Sequence, residues 1–290
     1  MKAKTAKTLL AKKINEWLKS IDNHDVEMLA RRDAIVTGGC IASMLTNEPV
    51  NDYDIYFETK ETCLLVAEYY VAKFTAATQH PMKVEDKDGR IRIVTKSGHR
   101  GETAGDVETL GDSGEIEDAY EETQEASLAT NDDSKPDYRP VFMSTNAITL
   151  SGRVQIVLRF YGKADEIHQN YDFAHCTNYW KCSDDAIVLR QPALESLLAK
   201  ELRYVGSKYP VCSIMRLRKF IKRGWTINAG QILKMVMQVA ELDLKDPLVL
   251  EDQLTGVDSA YFVQIISALK EKCPEKINAA YLVEIIDRMF

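Results

Sequence analysis

The spacing of hydrophobic residues changes part-way along the chain. In the first part, apolar residues form short continuous or alternating runs at residues 33–39, 51–57, 89–96, 146–151 and 153–160. Such runs are typical of β-strands, because successive side chains of a strand point to opposite faces. Residues 1–22 and 60–78 instead carry apolar residues at helical spacing. The first part is therefore predicted to combine a sheet with a few helices.

From about residue 184 onward, apolar residues recur every three or four positions. Five segments show this spacing, at residues 192–206, 213–224, 229–242, 258–272 and 278–290, with proline or glycine between several of them. The spacing predicts amphipathic helices, because positions three and four apart share one helix face. The fold class is therefore predicted to be α+β, with a sheet domain over 1–183 and an all-helical domain over 184–290.

The acidic charge of the chain is concentrated in one segment. Residues 97–139 hold 13 acidic and three basic residues. That segment has a net charge of −10 and the whole chain −7, so the remainder carries +3. The segment is poor in large apolar residues and contains several glycines, so it is predicted to be a mobile acidic insertion in the first domain. A flap that covers a basic cleft is the alternative.

The distribution of apolar residues and cysteines bears on the cellular location. No apolar run approaches membrane-spanning length, and the basic N-terminus lacks the continuous apolar stretch of a secretory signal. The six cysteines are scattered without a CxxC pair, which suits reduced thiols. Both observations predict a cytoplasmic protein that does not contact a membrane.

The densest candidate chemistry lies around a Gly-Gly pair. Gly38 and Gly39 end a predicted strand and precede a short predicted helix, whose free N–H groups could bind phosphate. Ser43, in the first turn or so of that helix, could add a hydroxyl contact. Asp52 and Asp54 lie two residues apart on the next predicted strand, so both carboxylates project from one face. Two close carboxylates repel each other unless a cation such as Mg²⁺ binds them.

These residues resemble the motif of the DNA polymerase beta-like nucleotidyltransferase superfamily, which is a Gly-Gly or Gly-Ser turn, a short helix and Asp-x-Asp on a strand. Twelve residues separate Gly39 from Asp52, and this gap suits the superfamily. The Gly-Gly form is loosely similar to the head domains of CCA-adding enzymes and bacterial poly(A) polymerases, although those enzymes carry Arg-Asp where this chain has residues 41–44. Residues 171–176 and 219–225 are similar to bacteriophage or large-virus members.

The resemblance implies a third carboxylate on a neighbouring strand. The candidate is Asp172, which lies in a strand-like segment after the run at 153–160. Asp165 and the pair Asp184 and Asp185 are alternatives. In the superfamily such carboxylates bind two Mg²⁺ or Mn²⁺ ions, and the third acts as a metal ligand or as the base for the incoming hydroxyl.

Basic residues in the helical part form two groups. Lys200 and Arg203 lie in the first of the predicted helical segments, and the resemblance implies that residues at such positions hold the triphosphate. Arg216, Lys219 and Arg223 share one face of the next predicted helix and could bind the phosphates of an RNA acceptor. A solvated helix face without a nucleic-acid role is the alternative.

Together the residues and the resemblance predict a nucleotidyltransferase. It would move a nucleoside monophosphate from a triphosphate such as ATP to an acceptor hydroxyl, with release of pyrophosphate and with two Mg²⁺ or Mn²⁺ ions as cofactors. The acceptor could be an RNA 3′ end, a protein side chain or a small molecule. Two alternatives remain: a toxin- or resistance-type transferase, and a non-catalytic module that binds nucleic acid or a partner protein.

Overall fold

The computed structural model describes residues 1–79, 81–87, 89–95 and 137–254. The helices are α1 Ala3–Lys19, α2 His24–Asp33, α3 Gly39–Thr46, α4 Lys60–Thr78, α5 Ala164–His168, α6 Gln191–Ala199, α7 Pro210–Lys222, α8 Ala229–Ala240 and α9 Pro247–Leu254, with a 3-10 helix at Ala174–Cys176. The strands are β1 Ala34–Thr37, β2 Tyr53–Phe57, β3 Met82–Lys87, β4 Arg90–Thr95, β5 Pro140–Met143, β6 Ala147–Leu150, β7 Val154–Val157, β8 Tyr179–Lys181, β9 Ala186–Val188, β10 Glu201–Leu202 and β11 Thr226–Ile227. This mixture of sheet and helices confirms the predicted α+β class.

Seven strands form the main sheet, in the order β5-β6-β7-β2-β1-β8-β9. Neighbouring strands are antiparallel except β2 and β7, which are parallel. In the central pair, Thr37 on β1 lies opposite Asp54 on β2. β3 and β4 form a separate antiparallel pair, so the strand predicted at 89–96 is present but lies outside the main sheet.

The two faces of the main sheet are packed differently. α1, α2 and α4 cover one face and supply most of the main core, in which Trp17 Nε1 donates a hydrogen bond to Tyr70 Oη at 2.8 Å. A smaller cluster on the other face contains Ile35, Tyr56, Val157, Ala164 and Ile167. Since side chains alternate along β2, Asp54 shares this second face with Tyr56.

The part of the chain after residue 190 is mainly helical, as predicted, and its core continues onto the sheet domain. That core contains Ala42, Phe173, Leu197, Leu202, Tyr204, Trp225 and Met235. Two details differ from the prediction. The hairpin of β8 and β9 crosses the predicted boundary at 183, so the sheet extends to Val188, and β10 and β11 form a short parallel pair among the helices.

Three of the sequence predictions concern segments at the edge of the described chain. Most of the predicted acidic insertion, and the helices predicted at 258–272 and 278–290, lie outside the described residues. The expectation of a mobile segment is wrong for 137–139, because Tyr138 is 3% exposed in the main core and Ser151 Oγ donates to Asp137 at 2.6 Å.

No helix in the described ranges combines the length and apolar character needed to cross a membrane.

Candidate active site

The turn between β1 and α3 brings the backbone against a carboxylate. Gly38 precedes α3 with φ at +94°, a conformation that side chains rarely permit. A Cβ at Gly38 would lie 2.8 Å from Asp54 Oδ2, so a larger residue here would have to displace the Asp54 carboxylate. The Gly38 N–H donates to the Cys176 carbonyl at 3.1 Å. A phosphate at this turn would therefore depend on N–H groups other than that of Gly38.

The first turn of α3 is open at its N-terminal end. Gly39, the first residue of α3, is exposed, and a Cβ placed on it would meet none of the described atoms within 4 Å. The free N–H groups of a helix N-terminus attract anions, because the helix dipole is positive at that end. The end of α3 beside Asp54 thus has the character of a phosphate site.

Asp52 and Asp54 lie at the start of β2. Asp52 immediately precedes the strand and Asp54 is its second residue, and both side chains are half-buried. The nearby Cys40 thiol reports their charge: burial raises its pKa, and the negative charges of Asp54 and Asp52 raise it further. Both carboxylates therefore lie within electrostatic range of the first turn of α3, which contains Cys40.

The Cys176 thiol is influenced by the charge of Asp172 as well as by the charges of Asp52 and Asp54. Burial raises the pKa of the Cys176 thiol, and the charges of Asp172, Asp54 and Asp52 raise it further, in that order. Arg216 acts in the opposite direction and lowers it. All three predicted carboxylates and one predicted RNA-binding arginine therefore lie within electrostatic reach of a single thiol.

Asp172 lies in a bend, not on a strand of the main sheet as predicted. The adjacent Phe173 forms an isolated β-bridge with Tyr204, so this segment pairs with the chain after β10. The Asp172 carboxylate accepts a hydrogen bond from Arg216 Nε at 2.6 Å, and the two side chains are 15% and 25% exposed. Arg216 therefore faces the candidate site, whereas Arg223 is exposed at the end of α7. The binding of RNA by Arg216, Lys219 and Arg223 stays a prediction.

Two of the three alternative third carboxylates, Asp165 and Asp185, are engaged elsewhere. Asp165 forms an ion pair with Arg190. Asp185 accepts from Lys7 Nζ and from Trp180 Nε1, each at 3.0 Å.

The remaining predicted phosphate-binding residues lie away from the N-terminal turn of α3. Ser43 is the fifth residue of α3, not part of its first turn, and its carbonyl accepts from the Glu48 N–H at 2.8 Å. Lys200 Nζ lies 3.4 Å from Glu48 Oε1, just beyond the C-terminal end of α3. Arg203 Nη1 lies 3.0 Å from Glu195 Oε2 on α6. The structure therefore does not bring these three residues together with Gly39.

Two buried histidines to which the sequence analysis gave no role in this site pack behind it. His168 Nε2 lies 2.8 Å from Thr37 Oγ1, directly before Gly38, and burial lowers its pKa to about 4. His175 packs against Trp225 and Phe220, with ring centroids 4.3 and 4.7 Å away, and burial lowers its pKa to about 4. Thr37 and His168 are 131 residues apart, so no local sequence signal connects them.

The carboxylates differ in how well they suit a metal ion. Among the residues that the structure describes, no three His, Cys, Asp or Glu side chains are arranged to hold one. Asp52 and Asp54 nevertheless supply the hard oxygen ligands that Mg²⁺ prefers, beside a helix N-terminus that suits the phosphates of a metal–nucleotide complex. Asp172 fits less well, because Arg216 holds its Oδ2.

A comparison with protein families identifies the chain. A family model described as "Gabija anti-defense 2 family protein" matches residues 8–200, more than half of the chain. The chain belongs to this family. Within the Gabija anti-defense 2 family, the protein named Gabija anti-defense 2 from Bacillus phage SPbetaL7 is 21% identical over 267 residues, which are 91% of this chain and 50% of that relative. The phage source of this relative agrees with the expected link to bacteriophage proteins.

Solved structures give a weaker likeness for this member of the Gabija anti-defense 2 family. A Thermotoga maritima CCA-adding enzyme complexed with tRNA is 14% identical with a TM-score of 0.42, over 88% of this chain and 53% of that one. A CCA-adding enzyme with CTP is 14% identical with a TM-score of 0.40, over 95% and 52%. No functional conclusion follows from a likeness at this level. The chain spans about half the length of the relatives it matches.

Proposed function

We propose that this chain is a metal-dependent nucleotidyltransferase, which moves a nucleoside monophosphate from a nucleoside triphosphate to an acceptor hydroxyl and releases pyrophosphate. The observation that carries the proposal is the approach of Gly38 to Asp54, where a Cβ would lie 2.8 Å from Oδ2. A backbone shaped around a carboxylate beside an open helix N-terminus suits a ligand that combines a cation with phosphates.

Each group has a distinct role in this proposal. Asp52 and Asp54 hold Mg²⁺ or Mn²⁺, which would supply charge stabilisation for the transferred phosphoryl group. The N–H groups of the first turn of α3, from Gly39 onward, bind the triphosphate oxygens. Asp172, whose Oδ2 is held by Arg216 Nε at 2.6 Å, orients the acceptor hydroxyl through Oδ1. The acceptor hydroxyl gives its proton to Asp172 Oδ1 and its oxygen bonds to the α-phosphorus, while the bond from that phosphorus to the bridging oxygen breaks and pyrophosphate leaves.

The test is a paired measurement on the unaltered chain and Asp54→Asn. Thermal melting is recorded with and without Mn²⁺ plus each of the four nucleoside triphosphates. The unaltered chain should gain stability with at least one triphosphate, about 2.7 kcal/mol at one hundred times the Kd. Asp54→Asn should gain none, and transfer of labelled nucleotide to RNA, protein or small-molecule pools should fall about 1,000-fold or more.

The matched control is Glu68→Gln, which removes one carboxylate from an exposed position on α4. This variant should respond to metal and triphosphate as the unaltered chain does. Equal stabilisation of all three proteins would show that Asp54 does not hold the metal–nucleotide complex, and the enzyme proposal would then fall.

A second candidate is a non-catalytic protein that acts by binding. The pairing of Asp172 with Arg216, and the lack of a three-ligand group among the described residues, favour this candidate. The family name suggests that either activity serves against the Gabija defence of bacteria. The two candidates can be distinguished by the growth of a phage that requires this chain on a Gabija-carrying host. Asp54→Asn should abolish growth if catalysis is required and should leave growth unchanged if binding is sufficient.

A further inference from the structure

Helix α8 turns its polar side to the rest of the protein and its apolar side outward. On the inner side, Gln231 Oε1 accepts a hydrogen bond from the Tyr204 N–H at 2.8 Å. Further along the helix, Gln238 Nε2 donates to the Ser207 carbonyl at 2.7 Å. Of the apolar side chains of α8, only Met235 is buried. A helix at the surface of a globular protein normally has the opposite arrangement, with its apolar side against the core.

Four large apolar side chains form the outward side of this helix, and we call them the α8 stripe: Ile232, Leu233, Val236 and Met237. Each of them is between 42% and 61% exposed. They are neighbours on one face, because residues three and four apart lie side by side along a helix. Contiguous exposed apolar surface of this kind marks a place where another segment or another molecule binds.

The described chain ends close to the α8 stripe. Both α8 and α9 contact α7, and α9 ends at Leu254. Gln253 Nε2 donates at 3.0 Å to the carbonyl of Lys208, which lies two residues before α7. Residues 255–290 therefore begin beside the helix against which α8 packs.

The sequence of residues 255–290 repeats the spacing of the α8 stripe. The stripe consists of two pairs of adjacent apolar residues, four positions apart. The helix predicted at 258–272 has such pairs at 261–262 and 265–266, and the helix predicted at 278–290 has them at 281–282, 285–286 and 289–290. Helices that each carry one apolar face become stable when they bury those faces against one another.

The length of the segment also suits this arrangement. The predicted helix at 258–272 begins soon after Leu254, and a short connection favours packing against a nearby helix. A helix over 258–272 would be about 22 Å long, whereas α8 is about 18 Å long, so one can run along the whole of the other.

We propose that residues 255–290 of the same chain cover the α8 stripe and contribute the two predicted helices to the helical part. This contact would also support the candidate site from a distance. α8 holds the backbone of Tyr204 through Gln231, and Tyr204 forms the bridge to Phe173, next to Asp172. The proposal does not depend on nucleotidyl transfer, because it uses none of the residues assigned to metal, triphosphate or acceptor.

The test is hydrogen exchange of the full chain, followed by mass spectrometry of its peptides. In the unaltered chain, amides within 258–272 and 278–290 should be protected from exchange. Leu233→Ala should speed their exchange by about 30-fold or more, because it removes a large side chain from a covered contact. Met237→Ala should act in the same direction. Light scattering of the same samples should show monomers.

The matched control is Lys234→Ala, which changes an exposed residue of the same helix to the same new residue. It should alter exchange within 258–290 by less than about twofold, because lysine and alanine are both good helix formers. Absence of protection in the unaltered chain would overturn the proposal, and so would equal effects of Leu233→Ala and Lys234→Ala. A dimer that Leu233→Ala dissociates without a change of exchange in 258–290 would instead assign the α8 stripe to a second copy of the chain.

Discussion

The two ends of β1 bury polar groups of opposite kinds. At its start, Asp33 accepts hydrogen bonds from Arg32 Nε at 2.7 Å and from the hydroxyls of Thr59 and Thr62 at 2.5 Å each. At its end, Thr37 contacts the ring of His168 at 2.8 Å, beside the candidate active site. The first cluster encloses a satisfied negative charge, whereas the second depends on a ring that burial keeps neutral.

The difference shows how the surroundings decide the effect of burial on a titratable group. Burial alone would raise the pKa of Asp33, but the bonds from Arg32, Thr59 and Thr62 outweigh it and lower the pKa to about 2. The charges of Asp165 on His168 and of Asp172 on His175 act against burial but do not outweigh it, and burial lowers the pKa of each histidine to about 4. The scaffold behind the candidate site is therefore expected to be the acid-sensitive part of the described structure.

Acid should unfold the protein in two stages, and this is the largest effect that we expect. Between pH 6.5 and about 4 the unfolded chain binds protons on His168 and His175 that the folded chain does not bind. The free energy of unfolding therefore decreases as the pH is lowered through this range. Each histidine should account for about 3 kcal/mol of this loss. The stabilisation from Asp33 is lost only below its unfolded pKa of 3.8, towards about 2. Urea unfolding at a series of pH values measures both stages.

Substitution should assign each stage to its group. His168→Gln and His175→Phe should each remove about half of the first stage, and Asp33→Asn should remove the contribution of Asp33 to the second. His24→Gln, at an exposed position on α2, serves as the control and should leave both stages intact. A first stage that persists at full size in both histidine variants would contradict the contrast between the two ends of β1.

Gly38→Ala should have the next largest effect. It forces a Cβ to 2.8 Å from Asp54 Oδ2 at a φ of +94°, so we expect a loss of about 2–3 kcal/mol in the free energy of unfolding. Displacement of Asp54 should also prevent stabilisation by metal and triphosphate. Denaturant unfolding and ligand-dependent melting measure the two effects.

Gly39→Ala is the matched control for this prediction. Its Cβ would meet no described atom within 4 Å, and alanine favours a helix more than glycine does. Stability should therefore be unchanged or slightly increased. If Gly38→Ala and Gly39→Ala unfold alike, the close approach of the backbone to Asp54 is not important for stability.

Features that depend on neighbouring residues were predictable from the sequence. Apolar residues at helical spacing predicted a helix at 60–78, where α4 lies, and strict alternation predicted β2. The Gly-Gly pair marked the turn that requires a positive φ at Gly38. These signals are local, because side-chain periodicity and backbone conformation act within a few residues.

Features that depend on distant pairing were not predictable. The strand-like appearance of the segment around Asp172 reflected a single bridge from Phe173 to Tyr204, not a place in the main sheet. The sequence placed Arg216 on a basic helix face that could bind RNA phosphates, with a solvated face as the alternative, but Arg216 lies against a carboxylate 44 residues away. No spacing rule connects residues that meet only through the tertiary fold.

The smallest predicted effect tests whether Arg216 mainly positions Asp172 or mainly binds RNA phosphate. If Arg216 mainly positions Asp172, Arg216→Gln should lower the free energy of unfolding by about 1–2 kcal/mol, because it leaves a half-buried carboxylate without its cation. It should leave the salt dependence of RNA binding unchanged. Arg223→Gln, on the exposed end of α7, should instead leave stability unchanged and reduce the slope of log K against log salt by about 0.7 if this end of the helix binds phosphate. Unfolding in urea and RNA titrations at several salt concentrations separate the two roles. An equal loss of slope in both variants, with no loss of stability in Arg216→Gln, would return Arg216 to the RNA-binding face predicted from the sequence.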